Sequence, residues 1–452
     1  MALAQAEAIV DMPNGLHEWR RDMRKWEEIL AAVAVIAVVI YSLACRPAWH
    51  PSGKSVAFPF AIEVTTQAGD ETISGVAIYD VETGEVKRIF EEKNEAFAMG
   101  HVLWTGDGKA IVAAVPGESG EEYRVLRIDP ATGKAELTAT ITDIENATVM
   151  NPPVLGGNGV LWLGTFTKKG EEKEGSTGDS RGSYMRVDLA DGKVTEGFTS
   201  TDSILGLYDF GKRGCYYVKA TGEKQGEVLS VIIGRFDADT GALEEMATLP
   251  AGVYGECGYM TAEPGGSRFA ILAGTGDEEL FVRVFDEKGH VLKDIAIDMK
   301  LTTGTGALAW IGDSVWIGAK REASMEDFFE SGLGFLVIGV DSEKSRFVPL
   351  GKGGSSEDLW TLQPALSPDG KTVAVSGLKL ESAKVKGRIA LVLLDAAAPE
   401  REPKYIPLPL ESGEKLKEEK EVSSTDAVLR LPGETTSGLT VATREAAAEA
   451  AK

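Results

Sequence analysis

Cysteine and histidine are scarce in this chain, and that scarcity removes most metal chemistry. Its 452 residues hold three cysteines and four histidines. None falls in the CxxC, HxxxH or HExxH spacing that zinc sites and zinc hydrolases use. Cys215 and Cys257 stand about one repeat apart, which leaves a disulfide or two buried thiols open. Basic charge is also short. Lys+Arg 47 against Asp+Glu 70 gives a formal net charge of −23. A nucleic-acid surface needs clustered cations to neutralise phosphates, so that partner is excluded. The acidic excess also disfavours adhesion of the globular part to anionic lipid. Gly-rich phosphate loops are absent, and the GDSRG at 178–182 lacks the strand-to-helix elbow a nucleophilic serine needs. Long apolar runs are lacking too, with one exception at residues 29–44.

That run reads ILAAVAVIAVVIYSLA and carries no charge. A membrane span takes about 20 residues, so this one is short unless Trp26 and Tyr41 sit in the two interfaces. Ile29, Val35 and Val39 would then lie in the apolar layer. Arg20, Arg21, Arg24 and Lys25 precede the run, whereas few basic residues follow it. Positive charge stays on the cytoplasmic side, so a single-pass signal anchor with a cytoplasmic N-terminus is expected. A lipoprotein modified at Cys45, after the lipobox-like Ser42-Leu43-Ala44, is a second reading; a cleaved signal peptide is a third. All three place the globular part outside the cytoplasm, in a periplasmic or equivalent compartment. Only Arg46, Pro47 and Ala48 then separate the run from the first hairpin.

What the chain has in abundance is repetition. Residues 364–377 read PALSPDGKTVAVSG, where an apolar strand meets a Pro/Gly turn and a β-branched strand returns. The same hairpin begins at Pro47 and Val102, with looser copies at Pro153, Leu205, Met260 and Ala307. A second signature alternates with it: a strand ends in aspartate, turns and runs back. Its aspartates are Asp80, Asp129, Asp188, Asp237, Asp286, Asp341 and Asp395. Two hairpins per unit and seven units of about 50 residues predict an all-β, seven-bladed β-propeller with four-stranded antiparallel blades, preceded by a single transmembrane helix.

The stretches PAWHPSGKSVAF and PALSPDGKTVAVSG resemble the repeat of the TolB-like, or PD40 and WD40-like, propellers, whose pattern is PxWSPDGKxIAF. The resemblance covers residues 46–410, sharply in units one, two and seven. It implies a propeller that binds partners and transfers no catalytic residues. His50 stands where that pattern has serine, and the anchor is a departure from soluble TolB.

The expected organisation is a cytoplasmic segment 1–28, an anchor 29–45, a propeller 46–410 and a charged linker with tail 411–452. Strands are expected at 427–431 and 439–443. Two insertions interrupt the repeats. One, at 167–183, is charged and rich in Gly and Ser. The other, at 320–332, has an amphipathic look through Met325, Phe328 and Phe329, which makes these candidate partner-docking residues beside the plainer reading of a helix packed on its own ring. Polar residues at the starts of inner strands (His101, Asp202, Glu256 and Asp358) are candidates for the channel mouth. No cofactor is expected. The function expected is that of a non-enzymatic scaffold or accessory subunit of a membrane protein complex, with other membrane or periplasmic proteins as partners. The rival is a ligand-binding sensor or propeller enzyme using the central channel.

Overall fold

The computed structural model describes residues 46–416, apart from 67–68, 95–99, 118–121, 143–152, 167–181, 200–203, 211–213, 222–229, 250–259, 275–279, 298–300, 303–307, 322–332, 351–356, 360–363, 382–383 and 411–414. The anchor residues Trp26, Ile29, Val35, Val39 and Tyr41, together with Cys45 and the strands expected after 427, lie outside the described residues. Among the described residues no helix is long and apolar enough to cross a membrane.

Seven antiparallel sheets follow one another along the chain, spanning 48–92, 101–141, 154–198, 204–249, 260–296, 301–349 and 357–406. Each keeps sequence order from the innermost to the outermost strand, so the chain makes a seven-bladed β-propeller. Burial follows from that geometry. The second strand of a blade is covered by neighbours on both faces, and Ile111–Pro116 and Phe269–Gly274 are buried throughout. Outer strands face solvent on their edge, and Ala135–Ile141 is buried at only two positions. Core clusters form between blades rather than within them. One joins Val112 and Tyr123 of blade two to Leu161 and Leu163 of blade three.

Both sequence signatures have a mechanical role. In the first, Ser367 Oγ accepts the amide N–H groups of Lys371 (3.2 Å) and Thr372 (3.0 Å) and donates to Asp369 at 2.6 Å. His50 does this work differently in blade one. Its Nδ1 accepts the N–H of Ser52 at 3.0 Å, and its Nε2 lies 3.2 Å from the Gly108 carbonyl of the next blade. In the second signature, a carboxylate oxygen of the aspartate accepts amide N–H groups two or three residues on, as at Asp129 (2.8 Å to Ala131) and Asp237 (2.9 Å to Asp239). Gly133 closes such a turn with φ +71°, and a Cβ there would also strike the Ile89 carbonyl of the preceding blade. The turn glycine is therefore fixed by conformation and by contact.

One sequence expectation fails here. The position equivalent to Asp80 in blade six is Gly339, whose N–H bonds Lys344 as Asp80 bonds Glu85. Glu343 (φ 56°) takes the left-handed place that glycine holds elsewhere. Asp341 is left in mid-turn, where its carboxylate accepts from Arg268 of blade five at 2.7 Å.

The two ends of the described chain meet at a seam between blades one and seven, where each blade draws its four main strands from its own stretch of chain. Trp49 Nε1 donates to the Ala365 carbonyl at 2.8 Å across it, and Lys404 Nζ donates to the Tyr79 hydroxyl at 2.8 Å. Ile406 and Leu408 bury themselves against Phe58, Phe60 and Ile62 of blade one. The chain then places Lys415–Leu416 on the strand Ser55–Thr66, opposite Val64 and Thr65. Pairing thus continues past residue 410, into the expected charged linker. Leu416 is the apolar residue in that charged stretch, and among the described residues no other strand pairs with the edge it joins beyond Ala57.

Candidate functional site

The strand registers sort the connections by face. Tight turns within each inner hairpin and each outer hairpin lie side by side at one end of the blades. Val81 N–H bonds the Lys54 carbonyl at 2.9 Å, and Ala396 bonds Lys371 at 2.9 Å. This is the turn face. The middle connection of each blade and the link to the next blade leave from the opposite end, the connection face. The longest connections, such as those from Ile141 to Val154 and from Phe166 to Gly182, belong there, whereas the longest link on the turn face runs from Asp395 to Lys404. Met325, Phe328 and Phe329 lie outside the described residues, in the connection from Ser314–Arg321 to Leu333–Gly339, which leaves from the connection face.

That face is not level. In blade one the hairpin Ser55–Thr66 with Gly69–Asp80 pairs through twelve residues, and in blade seven Thr372–Glu381 pairs with Lys384–Asp395. Second strands of blades two to six have six to eight. At about 3.3 Å per residue, the extra length raises both hairpins by roughly 10–15 Å. They flank the seam. Glu357–Leu359 pairs onto the raised part of blade seven, and Lys415–Leu416 onto that of blade one.

The chain reaches the ring at its centre, on the connection face. Arg46 precedes the innermost strand Ala48–Trp49 by two residues. Its side chain is exposed to solvent, with protein atoms crowded around it. Burial lowers its pKa from the ordinary arginine value, and the charge of Asp209 in blade four opposes that shift. His101 of blade two feels the same arginine. Burial first, and the Arg46 charge second, lower its pKa to about 3. The ring is therefore neutral in ordinary buffers.

Four residues were expected at the channel mouth, and the described ones do not converge. His101 is 2% exposed and its Nε2 has no hydrogen-bond partner, so it is a core residue rather than a channel-lining one. Asp358 sits in the raised strand of blade seven, opposite Leu380. Asp202 and Glu256 lie outside the described residues. Arg46 was missed as a residue at the ring's centre. Aligning Trp49 with Trp104 puts Arg46 and His101 at one repeat position, and that register is the signal which marks Arg46 as an inner-strand residue.

Cys215 is a free thiol, half-buried, with its pKa pushed up to about 12 by burial and by Asp209. Such a thiol is a poor nucleophile. Asp80, Asp107, Asp129, Asp237 and Asp369, whose pKa values are lowered, accept hydrogen bonds in turns, whereas Glu92, also lowered, pairs with Arg124. Among the described residues no group of three His, Cys, Asp or Glu is arranged to hold a metal ion.

No family model matches the chain, and neither does any curated protein. Solved structures resemble it as propellers. TolB from Acinetobacter baumannii is 12% identical over 77% of this chain and 63% of its own, with a TM-score of 0.37. An oligogalacturonate lyase in complex with manganese is 12% identical over 74% and 86%, at 0.44. The β-propeller domain of the Trilobed protease from Pyrococcus furiosus is 12% identical over 80% and 96%, at 0.47. These neighbours include both enzymes and TolB, and likeness at this level concerns the fold alone.

Proposed function

We propose that the chain is a non-enzymatic, membrane-anchored, extracytoplasmic β-propeller that serves as a scaffold or accessory subunit of a membrane protein complex. The observation that carries this reading is the tether. A sixteen-residue uncharged run ends two residues before Arg46, and Arg46 stands two residues before the innermost strand. So short a link fixes a rigid ring at its centre, close to the bilayer, and suits a subunit seated among membrane neighbours better than a free catcher of ligands. The turn chemistry that occupies the shifted carboxylates supports a structural role for them. If the reading holds, the full chain stays in the membrane pellet after alkaline carbonate washing, and protease added outside the cytoplasmic membrane cuts the propeller. Release by carbonate, or protection of the propeller from outside, contradicts it.

A second reading is favoured by one feature. Arg46 is an exposed cation at the centre of the ring. A sensor or enzyme of the channel would use that charge to hold an anionic ligand. A ligand of this kind would raise the melting temperature of the wild-type chain but not of an Arg46→Ala variant.

A further inference from the structure

Asn158 and Gly159 form the tip of the inner hairpin turn of blade three. The matching turns of blades two and seven read Gly106-Asp107-Gly108 and Pro368-Asp369-Gly370, so asparagine takes a place that aspartate holds elsewhere. Asp107 and Asp369 are engaged there, accepting the amide N–H groups of Lys109 and Lys371 at 3.1 Å. The turn of blade three is shorter. Gly156 N–H donates to the Val160 carbonyl, whereas Thr105 reaches one residue further, to Ala110. In this shorter turn the Asn158 side chain is exposed and makes no hydrogen bond to a described residue.

Asparagine followed by glycine has a chemistry of its own. The glycine nitrogen attacks the side-chain carbonyl carbon of the asparagine, a C–N bond forms, and ammonia leaves with the proton that nitrogen carried. Water then opens the five-membered succinimide at either carbonyl, giving aspartate or isoaspartate. Glycine permits the attack because no Cβ shields its nitrogen. Gly159 N–H is held by the Gly156 carbonyl at 3.1 Å and must leave it first, which slows the step in the folded chain. Asn94 is protected where Asn158 is not. Glu95 follows it, its Nδ2 donates to Glu92 at 3.0 Å, and its Oδ1 accepts from Ser74 at 3.3 Å.

Asn158 also belongs to a blade junction. Its backbone N–H donates at 2.9 Å to Oδ1 of Asp239, in the outer turn of blade four. A Cβ on Gly156 would stand 2.6 Å from that same oxygen, and Trp162 Nε1 donates to the neighbouring Ala238 carbonyl at 2.7 Å. A carboxylate at position 158 would add like charge beside Asp239. Isoaspartate would also lengthen the backbone of the turn by one carbon.

We propose that Asn158 is a self-modifying site, which converts to aspartate and isoaspartate without an enzyme and so loosens the contact of blade three with blade four. The reaction consumes water alone and releases ammonia, so the fraction converted records the age of the folded chain. This goes beyond the scaffold reading and does not depend on it.

The test ages the folded full chain at mildly alkaline pH, beside a synthetic LGGNGVL peptide, and weighs the digested fragments. The fragment with Asn158 should gain the mass of amide-to-acid conversion and split into two isomers, several-fold more slowly than the free peptide. The fragment with Asn94 should stay intact, and Asn14–Gly15 is read in a fragment of its own. Asn158 unchanged after the free peptide has converted overturns the proposal. For the junction, Asn158→Asp should lower the melting temperature, and adding Asp239→Asn should restore most of the loss. Asn158→Gln should show neither ageing nor loss. An Asn158→Asp chain that melts like the wild type, or whose loss Asp239→Asn leaves unchanged, overturns the loosening.

Discussion

At the scale of single residues, the repeat pattern in the sequence reports turn chemistry and little else. It correctly located the turn aspartates of five outer hairpins, from Asp80 to Asp286, because a short carboxylate capping amide N–H groups leaves a fixed Asp…Gly signature. It misassigned blade six. There Gly339 and Glu343 exchange the usual residue types, and Asp341 two places on imitates the missing aspartate. His101 was misread for a related reason. Sequence shows that a residue begins an inner strand, but not which way its side chain turns, and this one turns inward. Its burial has a consequence for pH. The folded chain keeps His101 neutral down to about 3, whereas the unfolded chain takes up its proton near the ordinary 6.5. Stability is therefore complete above about pH 6.5 and falls as pH drops toward 3. The turn aspartates, lowered from 3.8, add a second loss at lower pH, beginning only as the unfolded carboxylates protonate. Melting temperatures measured from pH 7 to 4 should decline in the wild type and be flatter in His101→Gln. An equal slope in both would mean that His101 is not buried as described.

At the scale of elements, four-stranded blades were legible because two strand–turn–strand patterns alternate without a break. The raised hairpins were legible in principle. SVAFPFAIEVTT and TVAVSGLKLE are longer than the other second strands, but a search for repeats discards length that exceeds the repeat. The seam was not legible at all. Nothing in Ile406–Leu410 (IPLPL) marks it as the segment that binds the last blade to the first. The cause is long-range: Leu408 is 1% exposed only because blade one, some 350 residues earlier in the chain, supplies its partners. Because only the two-residue strand Lys415–Leu416 crosses it, the seam should be the weakest blade junction. Leu408→Ala removes a buried side chain and should cost about 2–5 kcal/mol. Trp49→Phe removes the hydrogen bond to Ala365 and should cost roughly 1 kcal/mol. Chemical denaturation measures both, and native-state proteolysis should cut the Leu408→Ala variant first near 400–416. Losses under about 0.5 kcal/mol for Leu408→Ala would show that the ring is not closed there.

For the whole molecule, the fold separates two faces by the length of their connections. The turn face is spent on short turns that join blades, such as Gly133 against Ile89 and His50 beside Gly108. The connection face holds the raised hairpins, the entering chain at Arg46 and the longest links. Variation in sequence costs least where connections are long and exposed, so recognition belongs on that face. The sequence alone suggested anchor and ring as separate facts. Arg46 at the ring's centre joins the two, because on the proposed anchored reading a tether there would select the face turned toward the membrane.

The central claim is that this ring works as a subunit, and its native mass tests that most directly. The full chain would be extracted gently from its own membrane, its mass measured, and its co-purifying chains identified in stoichiometric terms. The account expects a complex several times larger than the 48.2 kDa of one chain, with membrane proteins in fixed ratio. A single 48.2 kDa chain in its detergent micelle, with no stoichiometric companion, would contradict it and turn attention to a ligand held at the ring's centre by Arg46.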